Sequence, residues 1–136
     1  MLQPKRSRYR KHQKGRVGGY AMSTDLSFGL YGIQALEEGR LSARVIEASR
    51  RTLTRKFRRT GQVWIRVFPD LAVSSKPAEV RMGKGKGAPS YWAARVKAGQ
   101  MLFEMDGVSP AIASQAARLV SYKMPFSVRF VYRQEN

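Results

Sequence analysis

Residues 42–68 read SARVIEASRRTLTRKFRRTGQVWIRVF, and this stretch predicts the fold class. Ser42 suits a helix N-cap and Gly61 suits the residue just past a helix end, so we expect a helix over roughly 43–60. Apolar residues recur there at helical spacing and predict a face turned to the core: Ala43, Ile46, Leu53 and Phe57. Alternation over 62–68 then predicts a strand. The chain therefore combines helix with sheet.

The same signals extend outward in both directions. Alternating apolar residues predict strands over 26–31, 91–97, 100–105 and 126–133. Ala98-Gly99 is expected to join the two central ones as a hairpin. Ser109-Pro110 predicts the start of a second helix over roughly 110–123. That helix is expected to bury four apolar residues: Ile112, Ala116, Leu119 and Val120.

The predicted order is β-α-β-loop-β-β-α-β. We expect an α+β fold, a two-layer sandwich in which two helices cover one face of a mixed sheet. The order also fits a ferredoxin-like split βαβ arrangement. Residues 1–19 are predicted to be a basic arm, and residues 20–136 a single domain with a long loop at about 69–90.

Composition restricts the function. The net charge is +17, from 26 Lys and Arg against 9 Asp and Glu, so a polyanionic partner is expected. Nucleic acid is the first candidate and an anionic membrane surface the second. The chain has no cysteine and one histidine, His12, so a thiolate metal site or a histidine triad is not expected. We expect no metal, no cofactor and no enzyme activity, and an ion-pairing role for Glu104 and Asp106.

Cations concentrate in three segments. The arm carries seven: Lys5, Arg6, Arg8, Arg10, Lys11, Lys14 and Arg16. The first helix has a stripe opposite its apolar face: Arg44, Arg51, Arg55 and Arg58. Only Glu47 balances that stripe, so an external anion is expected to do so. Arm and stripe together are the predicted RNA-binding residues. Trp64 and Trp92 lie in strand patterns, which favour packing and leave base stacking open.

The third cationic segment is a loop that alternates cations with glycine. Its seven residues are Arg81, Met82, Gly83, Lys84, Gly85, Lys86 and Gly87. This composition predicts a bent, cationic loop that can approach phosphate. The spacing does not match a P-loop, because Gly87 follows Lys86 where serine or threonine is required. Nor does it match a dinucleotide fingerprint, since the glycines are spaced G-x-G-x-G.

Several blocks resemble one protein family, bacterial-type large-subunit ribosomal protein sixteen. The resemblance covers nearly the whole chain in order. The matching blocks are Met1–Arg6, Leu26–Gly29, Ile46–Ala48, Val63–Asp70 and, most specifically, Lys76–Gly87. The segment Phe103–Gly107 is similar to alphaproteobacterial and mitochondrial members. The tail 132–136 runs past the usual ending.

The resemblance implies a structural constituent of the large ribosomal subunit. It implies partners too: 23S-type large-subunit rRNA, neighbouring ribosomal proteins, and tRNA at the aminoacyl site first and the peptidyl site second. The loop 81–87 would point toward tRNA, and late subunit assembly would need the protein. It implies a ribosomal location, with the mitochondrial matrix favoured over bacterial cytoplasm or plastid, and neither membrane binding nor homo-oligomers. A free RNA-binding translational regulator is the alternative.

Overall fold

A computed structural model describes residues 1–22 and 24–133. The end of the tail, residues 134–136, lies outside the described residues. The elements are β1 (Tyr31–Ala35), β2 (Gly39–Ser42), α1 (Ala43–Lys56), β3 (Gln62–Ile65), β4 (Leu71–Ser74), β5 (Pro89–Val96), β6 (Met101–Asp106), α2 (Pro110–Ser121) and β7 (Val128–Tyr132).

Both helices begin where their caps predict. The Ser42 hydroxyl accepts from the backbone N–H of Val45 at 3.3 Å, and Ser109 accepts from Ile112 at 3.4 Å. Each cap satisfies a backbone donor that the first turn leaves without a partner. Helix α1 ends at Lys56, earlier than predicted, because the backbone of Arg58 and Arg59 turns left-handed, with φ of 53° and 63°.

The α+β class is confirmed, but the strands form two antiparallel sheets instead of one mixed sheet. The order in the larger sheet is β3-β6-β1-β7 and in the smaller β2-β5-β4. The predicted hairpin between 91–97 and 100–105 is therefore wrong, since β5 and β6 belong to different sheets. At the turn between β5 and β6, the Gly99 N–H donates to the Ala35 carbonyl at 2.8 Å. The Ala35 N–H donates to the Gln100 backbone carbonyl at 2.9 Å. These bonds direct β6 onto β1.

Two segments differ from the predicted strands. The alternating residues 26–30 form no strand, because the N–H groups of Ser27, Phe28 and Gly29 donate to the Glu104 carboxylate. Strand β1 begins only at Tyr31. Within the predicted loop 69–90, Leu71–Ser74 form the short, mostly buried strand β4. The open part of that connection is therefore shorter, about 75–88.

Helices α1 and α2 pack on each other and on one face of the four-stranded sheet. Leu53, Phe103 and Val120 are fully buried in this core. Ala116 and Val120 are buried as predicted, whereas Ile112 and Leu119 are 38% and 41% exposed. Alanines dominate the buried face of α2, so its larger side chains flank the groove beside α1 instead.

Candidate nucleic-acid interface

The basic arm, residues 1–19, is seated on the smaller sheet. Strand β4 is an edge strand, and His12 Nδ1 accepts a hydrogen bond from the Ala72 N–H at 3.0 Å. The imidazole also meets Trp92 edge-on, with ring centroids 6.1 Å apart. Arg95 donates to the Gln13 carbonyl at 3.0 Å. The one histidine therefore docks the arm on the body, a contact that sequence reasoning did not predict.

All seven predicted RNA-binding cations of the arm are exposed. Because His12, Gln13 and Lys14 are held against the body, the cations near them lie at the protein surface. Lys11 is also a link to the loop, since its ammonium donates to the Lys86 carbonyl at 2.8 Å. In return the Lys86 ammonium donates to the His12 carbonyl. Arm and loop are thereby joined.

The second cationic region lies at the C-terminal end of α1. Three of the four predicted stripe residues come together there, whereas Arg44 lies one helix length away beside the start of the arm. Two further members of the group, Arg50 and Arg59, were not among the predicted RNA-binding residues. We call it the arginine cleft, lined by Arg50, Arg51, Thr54, Arg55, Arg58 and Arg59.

The charge of the arginine cleft is only partly balanced. Glu47 pairs with Arg50 and, at 3.1 Å, with Arg51. Hydrogen bonds from Arg50 lower the pKa of the Glu47 carboxyl to about 2, so it is ionised at neutral pH. No acidic residue is among those that line the cleft. Such a concavity suits phosphate, because guanidinium groups bind phosphate oxygens in pairs of parallel hydrogen bonds.

The backbone that positions two cleft residues is strained. Arg58 and Arg59 both have positive φ, which costs an L-residue roughly 1–2 kcal/mol. Strain of this kind persists where the surroundings stabilise it, and it clusters at functional sites. Here the turn brings Arg58 and Arg59 back beside Arg50 and Arg55 on α1. The sequence signal that could have revealed it is the run of cations just before Gly61.

The third region is the loop 81–87, whose tip is open. Gly83, Lys84 and Gly85 have φ of 89°, 62° and 89°, and a Cβ added at either glycine would meet nothing within 4 Å. At the base of the loop, a Cβ at Gly87 would lie 2.5 Å from the Ser75 carbonyl oxygen. The loop is therefore clamped at its base, while Arg81, Met82 and Lys84 are exposed.

Among residues 1–22 and 24–133, no three His, Cys, Asp or Glu side chains lie close enough together to hold a metal ion. No helix in the same ranges is long and apolar enough to cross a bilayer. Glu104 pairs with Arg66 as expected, whereas Asp106 accepts from the Gly107 N–H at 2.7 Å and makes no ion pair among the described residues. Glu104 is fully buried, so it is not open to a substrate.

The cations of this α+β protein are grouped on an arm, a cleft and a loop. This arrangement is typical of one class, the polyanion-binding proteins. The chain belongs to the ribosomal protein L16p/L10e family, whose family model matches residues 4–131. The resemblance seen in the sequence is thereby confirmed. Membership of a ribosomal protein family also supports the prediction that the chain is not an enzyme.

Relatives match the chain over nearly its full length. It is 59% identical over 132 residues to the large ribosomal subunit protein uL16m of Prototheca wickerhamii, covering 96% of this chain and 98% of the relative. It is 58% identical over 134 residues to uL16 of Xanthobacter autotrophicus, covering 98% of each. For uL16 of Bartonella henselae the identity is 56%, with the same coverage.

Proposed function

We propose that this protein is a structural constituent of the large ribosomal subunit that binds large-subunit rRNA. The observation that carries the proposal is the arginine cleft, where five arginines meet without a lining acid. The exposed cations of the arm add a second contact region. Phosphate contacts of this kind supply affinity and fix orientation with little dependence on base sequence. Relatives named as large-subunit proteins support the same role.

We further propose that the loop 81–87 approaches tRNA at the aminoacyl site, with the peptidyl site second. Its tip is exposed and cationic, and its left-handed glycines let backbone N–H groups approach another surface closely. A loop clamped at its base and open at its tip suits a contact made beyond the rRNA docking surface. The arm and the arginine cleft would hold the protein on rRNA.

The direct test of rRNA binding is a filter-binding titration over a salt series. Each phosphate neutralised adds about −0.7 to the log–log slope for single strands and about −0.9 for duplex DNA. A flat response would overturn electrostatic docking. Sedimentation separates a ribosomal constituent from a free regulator, because only the constituent stays with large subunits after a high-salt wash. Location in the mitochondrial matrix stays a prediction. The relative named uL16m and the bacterial uL16 relatives are equally similar to this chain.

Arg58 and Arg59, whose φ angles are positive, allow the effect of a substitution on RNA binding to be separated from its effect on stability. Arg58→Gly with Arg59→Gly should leave the unfolding free energy unchanged or raise it, because glycine adopts positive φ without a steric cost. The same variant should make the salt slope shallower by roughly 1.5, since two phosphate contacts are lost. Thermal unfolding and filter binding measure the two effects. Arg118→Gly is the control for losing an exposed arginine inside a helix, where glycine destabilises by about 1 kcal/mol.

The loop proposal has its own test. Arg81→Ala with Lys84→Ala should leave folding intact and weaken tRNA binding at the aminoacyl site more than rRNA docking. The reason is that both side chains lie on the open tip. Fluorescent tRNA binding to reconstituted subunits measures the first effect and filter binding the second. Lys86→Ala is the matched control, because Lys86 contacts the arm at His12 instead. Equal loss of tRNA binding and of rRNA docking would instead show that the loop tip contacts rRNA.

A further inference from the structure

The ring of Phe28 is an exposed aromatic surface that is fixed in place. Phe28 lies in the segment 26–30, which covers the face of the larger sheet opposite the helices. Although 57% exposed, the ring stacks on Trp64 with centroids 6.0 Å apart and planes inclined by 20°. The guanidinium carbon of Arg66 lies 5.4 Å from the centre of the Phe28 ring. We propose that Phe28 is a stacking site for an unpaired RNA base.

The backbone beneath the ring is held by one buried carboxylate. Glu104 Oε1 accepts from the N–H groups of Ser27, Phe28 and Gly29 at 2.7, 2.9 and 3.3 Å. The other oxygen, Oε2, pairs with Arg66. A Cβ at Gly29 would lie 2.5 Å from the Met105 carbonyl oxygen, so the segment approaches β6 as closely as glycine allows. The ring is therefore ordered before any ligand arrives, which reduces the entropic cost of binding.

Trp64 and Arg66 support the ring from one side. They alternate along the chain, and the Arg66 N–H continues the ladder of β3 by donating to the Leu102 carbonyl at 2.9 Å. Both side chains therefore project from the same face as Glu104, which is the register partner of Trp64. Phe28 contacts both side chains and still exposes more than half of its surface, so part of its ring is open to solvent. A flat ring in this setting accepts any base, because stacking needs only a π surface.

The position of Phe28 favours RNA as the occupant. Strand β3 is an edge strand that follows the arginine cleft directly in the chain. Arg59 and Val63 line a common hollow on the helix side of this strand, whereas Trp64 faces the other side. RNA whose phosphates bind the arginine cleft would pass the edge of β3 and reach Phe28. This inference rests on the proposed rRNA binding and adds a base contact to it.

The test compares Phe28→Leu with Phe28→Tyr in filter binding to large-subunit rRNA. Losing one stacked base costs about 1–3 kcal/mol, so Phe28→Leu should weaken affinity roughly 5- to 150-fold. The salt slope should stay that of the wild type, because no phosphate contact is lost. Phe28→Tyr retains the π surface and should bind like the wild type. Phe68→Leu, at a phenylalanine 48% exposed after β3, is the matched control and should also bind normally.

The outcomes separate this inference from the proposed function. Salt-dependent binding by the wild type with unchanged affinity in Phe28→Leu would overturn the stacking site alone and assign the ring to a protein neighbour. Flat salt dependence in the wild type would overturn rRNA docking itself. Ultraviolet crosslinking of the wild-type complex needs no variant and is independent of folding defects. A crosslinked base on Phe28 is expected, and crosslinks confined to other residues would contradict the site.

Discussion

Replacing Glu104 with glutamine is expected to lower the free energy of unfolding by about 3–5 kcal/mol. Glu104 is fully buried, pairs with Arg66 and accepts three backbone N–H groups. The glutamine amide lacks the negative charge that balances the Arg66 guanidinium. Its NH₂ group would also face other hydrogen-bond donors, the three backbone N–H groups and Arg66. Urea unfolding measures the change. Glu47→Gln is the control, because its ion pairs involve the more exposed Arg50 and Arg51 and should contribute below about 1 kcal/mol.

The effect of Glu104→Gln should depend on pH. Burial alone would raise the pKa of Glu104, but N–H donation from Phe28, the Arg66 guanidinium, and N–H donation from Gly29 and Ser27 together hold it below its usual range. The folded-state pKa is thus below the unfolded value of about 4.3. The stabilisation is therefore complete above that value and lost as pH falls through the folded pKa. Wild type and variant should converge at acid pH, and a constant difference from pH 7 to 3 would contradict this account.

Replacing the seven arm cations with glutamine is expected to make the log–log salt slope of rRNA binding shallower by roughly 5. All seven are exposed, and the docking contacts of His12 and of the Gln13 carbonyl keep them together on the surface. Because exposed charges contribute little to folding, thermal unfolding should change little. Filter binding from low to moderate salt measures the slope.

The matched control removes cations elsewhere on the surface. Lys97 and Arg118 are exposed and lie outside the arm, the arginine cleft and the loop 81–87. Their replacement with glutamine should leave the slope within about one unit of the wild type. If the control and the arm variant changed the slope equally per charge, binding would follow net charge alone. The arm would then have no special part in docking.

Local signals in the sequence predicted the helices well. Ser42 and Ser109 cap them because a hydroxyl acceptor next to free N–H groups is a contact between near neighbours in the chain. The basic arm, the cationic helix and the glycine-rich loop were also visible, since charge and glycine content need no partner. Ile112 and Leu119 were misjudged because apolar spacing alone does not tell which side of α2 meets α1.

The arginine cleft was only partly predictable. Helical spacing placed Arg51, Arg55 and Arg58 on one stripe, but the left-handed turn after α1 brings Arg59 beside Arg50, a helix residue outside that stripe. Arg44 shared the stripe in sequence and lies apart in the structure, because the helix separates its two ends. The exposed Phe28 surface could not be foreseen, since it depends on Glu104, more than seventy residues away.

By itself the sequence determined the fold class, the positions of the helices, the excess of positive charge and the family. The first three depend on composition or on neighbours within a few residues, and the family on matching blocks along nearly the whole chain. The tertiary structure alone decided that β5 and β6 part into two sheets, that His12 seats the arm on β4, and that Glu104 holds Phe28 outward. These features are pairings between distant residues. A pattern specifies that a donor or a strand edge needs a partner, and only packing selects which partner it meets.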